Sequence, residues 1–152
     1  MMKANSIRIA VGMSVLAMLV GFAPEAAARA CSAARATGVW GYTNSGSIPG
    51  RGVFAFVSVG RAILEASGRL SGNQTTSLNG ALLQESVDGS FTVNPDCTGT
   101  AVVNVFQGKT LVRTSLLDLV FVDDMNEARA IILTTGTAIS ASLRRVSSEG
   151  DE

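Results

Sequence analysis

The chain contains no histidine, and that absence excludes more chemistry than any residue present. The commonest general base is missing, so Ser-His-Asp and Cys-His nucleophilic arrangements are ruled out. The usual tetrahedral zinc shells are ruled out as well, because two cysteines without histidine cannot complete one without carboxylates. Those cysteines, Cys31 and Cys97, stand far apart and make no Cys-x-x-Cys redox motif. Lysine is almost absent: after Lys3 only Lys109 occurs, beside Gly108, where it reads as a solvated loop residue and not a Schiff-base former. There is one tryptophan and one tyrosine. Glycines occur without a following helical pattern, so no phosphate-cradling loop is present, and no cofactor is expected.

Charge of one sign is lacking too. The whole chain carries 12 basic and 12 acidic residues. The acidic cluster Glu149, Asp151 and Glu152 reads as a solvated end. A chain so balanced offers no basic surface for nucleic acid.

Long hydrophobic runs are limited to one. The basic start with Lys3 and Arg8, the apolar run from Ile9 to Ala23 and the small residues from Ala26 to Ala30 form the three regions of an export signal. The run is shorter than the roughly twenty residues of a membrane span and is ended by Pro24 and Glu25. Cleavage fits after Ala28 or after Ala30, giving a signal peptide over residues 1–30 and a single domain over 31–152. Cleavage after Ala30 would make Cys31 the first residue, which raises lipid anchoring; Ala28 stands where a lipobox usually has leucine, so periplasmic or secreted export without a lipid is the favoured reading. In an oxidising destination two cysteines pair by default, which predicts a disulfide between Cys31 and Cys97.

The remainder consists of short apolar and β-branched stretches punctuated by Gly, Asn, Asp and Ser about every ten residues, which predicts an all-β fold. Candidate strands cover 38–44, 52–59, 61–66, 69–78, 82–93, 100–106, 111–122, 128–135 and 138–146. Ser67 and Gly68 suggest a tight hairpin, Asn79 and Gly80 a type I′ turn, and 123–127 a polar loop. In the last strand Ile139, Ala141 and Leu143 alternate with Ser140, Ser142 and Arg144, as in a sheet with one wet face. Leu117, Leu119 and Phe121 share a core side, but Val120 and Val122 make the other side apolar as well, pointing to a covering segment or a homo-oligomer. Eight or nine antiparallel strands in one domain leave edges exposed unless the sheet closes, so a meander closing into a small β-barrel is expected.

The segment from Gly89 to Thr100, with Asp96, Cys97, Thr98 and Gly99 at its centre, resembles a motif of small secreted bacterial β-barrel proteins for which no activity is known. In those proteins a second cysteine stands near the mature N-terminus, ahead of a Gly-x-Tyr type strand, as Cys31 stands ahead of Gly38 to Tyr42. Ser90 and Phe91 replace the usual Thr and Tyr, and Glu65 to Gly68 replaces a common Phe-Asp-Gly turn. The resemblance implies a calycin-like barrel with the disulfide, and no activity. Gly38, Val39 and Trp40 are also similar to the Gly-x-Trp opening of lipocalins and avidins, in which the tryptophan would plug one end of the barrel, stacked under Arg144 or Arg145. Having only one tryptophan speaks against an avidin-like site.

Other candidate sites are bland. Glu65, Glu85 and Asp118 are strand carboxylates whose convergence at glycosidase spacing is not readable from sequence. Asp123, Asp124, Asn126 and Glu127 offer oxygens but no EF-hand spacing, and no metal is expected. Asn73 to Thr75 matches a glycosylation sequon with no role in a bacterial-looking chain. Three functional readings follow. The first is an exported, non-catalytic barrel acting as a structural or interaction module with a protein partner. The second is a binder of a small apolar molecule in the barrel mouth, with Trp40, Tyr42, Phe54 and Phe56 as the candidate pocket. The third, by analogy of fold alone, is a barrel enzyme of the cyclase or dirigent kind.

Overall fold

The computed structural model describes residues 30–50 and 52–146. The expected export signal up to Arg29 and the acidic tail after Val146 lie outside the described residues. A single helical turn, α1 (Ala33–Ala36), precedes eight strands: β1 (Gly38–Pro49), β2 (Val53–Leu64), β3 (Arg69–Leu78), β4 (Ala81–Val93), β5 (Thr98–Gln107), β6 (Thr110–Val122), β7 (Glu127–Ile132) and β8 (Ala138–Arg145). Every strand pairs antiparallel with the next, and β8 returns to β1 from Trp40↔Arg145 to Ser47↔Ala138, so the sheet closes into a barrel. Closure removes the unpaired edges that a meander of this composition would otherwise expose.

Two candidate strands, 52–59 and 61–66, are one continuous strand. Gly60 does not break β2; it faces Tyr42 of β1 in the register, and a Cβ there would stand 2.4 Å from the Tyr42 ring. A glycine in a strand here marks the close approach of a neighbouring side chain and not a turn. The β2–β3 connection is also longer than the two-residue hairpin expected. Glu65 still bonds Arg69 across the ladder, so Ala66, Ser67 and Gly68 form a three-residue loop with Gly68 at φ +83°. Asn79 and Gly80 have φ of 49° and 90°, as a type I′ turn requires.

Alternation assigns the faces. Phe56, Leu64, Leu70, Val87, Phe91, Leu119, Phe121 and Ile139 are buried in the interior, and each such side chain contributes about 1.5–3 kcal/mol by leaving water. The outer faces of β3 and β8 carry Ser71, Asn73, Thr75, Ser77, Ser140 and Ser142. The outer faces of β2 and β6 are apolar instead, with Val53, Val57, Val59 and Ile63 exposed on β2 and Leu116, Val120 and Val122 on β6. No helix among the described residues is long and apolar enough to cross a membrane.

One end of the barrel is sealed. Trp40 is fully buried there, donates its indole N–H to the Ala36 carbonyl at 2.9 Å, and meets Phe121 edge-on with centroids 6.1 Å apart. Arg145, one of the two arginines expected to cover it, lies with its guanidinium carbon 4.9 Å from the indole centroid. The same guanidinium donates to the backbone carbonyls of Thr37, Arg35 and Met125. The 3-10 turn Asp123–Met125 runs through three left-handed residues, φ 52°, 50° and 66°, and buries Met125 against this end. Cys31 and Cys97 form the expected disulfide, Cα atoms 5.0 Å apart, and tie α1 to the β4–β5 loop. Cys97 holds φ 70°, a conformation that loops of this kind usually give to glycine.

Candidate functional site

The inward faces of the strands do not fill the barrel. Ala62, Ala101, Ala128 and Ala141 all point inward from β2, β5, β7 and β8, where larger side chains would have packed the axis. The space they leave is an inner chamber of about 100 Å³ beneath Trp40, with Leu64, Phe91 and Phe121 among its walls. A second chamber of about 260 Å³ lies toward the opposite end, bounded by Ile48, Pro49 and Leu78 and by Thr134, Thr135 and Thr137 of the β7–β8 connection. Phe56, Arg113, Ser115 and Ile132 line both chambers and mark the boundary between them.

At that boundary the lumen turns polar. Gln74 of β3 and Glu85 of β4 are directly opposite in the ladder, Thr76 is two residues beyond Gln74 on the same face, and Arg113 reaches across from β6. A bulge beside Val105 and Phe106 leaves Val112 unpaired next to Arg113, a local irregularity of the kind that re-aims side chains. Arg113 grips the carboxylate with both terminal nitrogens, Nη1 to Oε1 and Nη2 to Oε2, each at 2.7 Å. Glu85 Oε2 also accepts from Thr76 Oγ1 and Gln74 Nε2 at 2.7 Å, and the Tyr42 hydroxyl donates to Gln74 Oε1 at 3.1 Å. The Arg113 guanidinium carbon lies 5.6 Å from the Phe56 ring centroid. Among the described residues no buried side-chain polar atom lacks a partner.

Electrostatically the cluster is an ion pair held in an apolar barrel. Glu85 is 4% exposed; burial alone would raise its pKa, but the hydrogen bonds from Arg113, Thr76 and Gln74 and the Arg113 charge override it and hold the group at about 2. Tyr42 goes the other way, to about 12, through burial first and the negative charge of Glu85 second, with Arg113 partly opposing. Arg113 keeps 33% of its side chain exposed, so solvent reaches the cationic partner but not the carboxylate.

Of the aromatic pocket residues expected from sequence, Trp40, Tyr42 and Phe56 line the inner chamber. Phe54 shares the Phe56 face of β2 but is half-buried at the rim, its ring standing where a side chain on Gly50 would be, and it lines neither chamber. The three carboxylates do not converge. Glu65 lies in the exposed β2–β3 loop accepting from Ser67, and Asp118 is exposed on the outside of β6. Around the polar loop, Asp124 pairs with Arg35 and Glu127 with Arg129, and among the described residues no group of three His, Cys, Asp or Glu is placed to hold a metal ion. The sequon residue Asn73 is exposed on β3. Sequence reading missed Gln74, Thr76, Arg113 and Ser115; the signal available was that all four fall on inward positions of otherwise apolar-faced strands. No protein-family model and no curated protein sequence matches the chain.

Proposed function

We propose that the protein is an exported binding barrel that holds one small, predominantly apolar molecule in its lumen, entering from the end opposite Trp40. The observation that supports this reading is the Arg113–Glu85 pair at the boundary of two chambers, the inner one apolar-walled. A buried ion pair contributes less to stability than a well-packed apolar pair of the same volume. Its place in a lumen left open by alanines is better accounted for by recognition, since a pocket with apolar walls and a few convergent polar groups is the usual form of a ligand site. Held at about 2, Glu85 is a weak proton acceptor, which favours binding over acid–base catalysis. The calycin-like resemblance of the Asp96 to Gly99 segment and the Cys31–Cys97 disulfide are in keeping with an exported barrel.

Native mass spectrometry of the protein from its own host, followed by the same sample denatured, tests the reading. A low-mass passenger that departs on denaturation is the expected result. Bare subunits that also fail to take up an apolar probe would overturn it. A second reading, the interaction module, is favoured by one observation: Val102, Leu116, Val120 and Ile131 are exposed on the outer faces of β5, β6 and β7, and Leu133 is exposed just after β7. Val102 pairs with Leu116, whose carbonyl accepts from the Leu133 N–H, so those three lie side by side.

A further inference from the structure

Within that lumen, and resting on its being a binding site, we infer that the ligand is an uncharged molecule bearing a carbonyl-type oxygen, and not a fatty acid or other anion: the Arg113–Glu85 pair makes the lumen electroneutral while leaving guanidinium donors at the boundary of its two chambers.

Among the described residues Arg113 is the one charged side chain lining either chamber, and Glu85, packed behind it, cancels it through a bidentate pair. An anionic ligand brought to Arg113 would therefore place a second carboxylate close to the fully buried Glu85 carboxylate, and like charges oppose each other there. Nor is a cationic ligand served, because both Glu85 oxygens are already engaged by Arg113, Thr76 and Gln74.

A neutral acceptor meets neither obstacle. Guanidinium has five N–H donors in a fixed fork, and the end-on grip on Glu85 uses one from each terminal nitrogen. The Phe56 ring and the carboxylate fix the plane of the fork, so its other donors are preorganised. Ser115, 8% exposed and lining both chambers, adds a hydroxyl beside it. A ketone, ester or lactone oxygen placed there accepts hydrogen bonds without changing the charge of the lumen. Its hydrocarbon part then occupies the inner chamber against Leu64, Phe91 and Trp40.

Trp40 is the only tryptophan of the chain and lines that chamber, so its fluorescence reports occupancy directly. Octan-2-one, octanoate and n-octane, titrated at pH 7, separate the terms. The ketone is expected to bind about tenfold or more tightly than either of the others. In Glu85→Gln, which keeps the shape but leaves Arg113 uncompensated, the order of ketone and octanoate should reverse. Octanoate binding to the native protein as tightly as the ketone would overturn the inference, as would octane matching the ketone, which would show a lumen that binds without using Arg113. If none of the three perturbs Trp40, the binding reading itself fails, and this inference with it. Should Glu85→Gln not fold, the ranking on the native protein decides alone.

Discussion

Removing the charge of Glu85, by acid or by substitution, probes the centre of the lumen in two independent ways. Its folded pKa is lowered from 4.5 to about 2, which corresponds to about 3 kcal/mol of stability at full value. The carboxylate is buried but its partner Arg113 is 33% exposed, so solvent screening brings the figure to about 2 kcal/mol. A depressed carboxylate contributes stability that is fully present above its unfolded pKa and lost as pH falls through the folded one; here the window runs from about 4.5 down to about 2. Thermal melts of the native protein and Glu85→Gln, followed by circular dichroism, should differ by about 8 °C at pH 7. The other acidic groups titrate in both proteins and drop out of the difference. That difference should hold down to pH 5, be about half closed by pH 3 and vanish near pH 2. A gap that stays constant from pH 7 to 2.5 would refute the reasoning, because it would mean that the substitution acts through packing and that the Arg113–Glu85 charge pair contributes nothing.

Four further outcomes follow from other parts of the barrel. Tyr42 is the only tyrosine, so phenolate absorbance at 295 nm should be absent from the folded protein at pH 11 and appear on denaturation; with its pKa raised from 10 to about 12, the associated stability is present below about 10 and lost across that interval. The Cys31–Cys97 bridge, with a sequence separation of 66, should contribute about 4 kcal/mol by the chain-entropy argument, so a Cys31→Ser, Cys97→Ser double variant should melt well below the native protein. Because Cys97 sits at φ 70°, replacing it by glycine in that double variant should recover about 1 kcal/mol over serine, measured by urea unfolding. Ala101→Leu should fill the inner chamber, cost less than about 3 kcal/mol, and abolish the response of Trp40 to n-octane.

The barrel was legible because its signals are local and repeated. Turn residues such as Asn79 and Gly80 and alternations such as Ile139, Ala141 and Leu143 each state a strand or a reversal, and closure follows from counting the edges left over. Gly60 misled because a glycine looks the same in sequence whether it ends a strand or makes room for Tyr42, and only the register distinguishes the two. The pocket was half legible for a related reason. Trp40, Tyr42 and Phe56 announce themselves by size, whereas Gln74, Thr76 and Arg113 are ordinary polar residues until the β3–β4 register and the bulge beside Arg113 bring them onto one carboxylate. Convergence across three strands has no signature within any one of them.

The two ends of the barrel are built to different purposes, and the contrast bears on where function lies. At the Trp40 end are gathered the disulfide, the Arg145 stack with its three carbonyl acceptors, and the left-handed turn that buries Met125. Three left-handed residues in succession cost about 1–2 kcal/mol each, so that turn persists only because its surroundings over-determine it. At the other end the connections are short turns and a threonine-bearing loop, with nothing comparable bracing them among the described residues. A barrel whose interior were merely structural would have no need of this asymmetry, because large side chains along the axis stabilise both ends alike. Here four alanines on β2, β5, β7 and β8 leave space among the larger inward side chains, and the disulfide, the Arg145 stack and the buried Met125 brace one end. That arrangement leaves a cavity in a small domain whose Trp40 end is braced, with the outer chamber and Arg113 lying between the inner chamber and the opposite end.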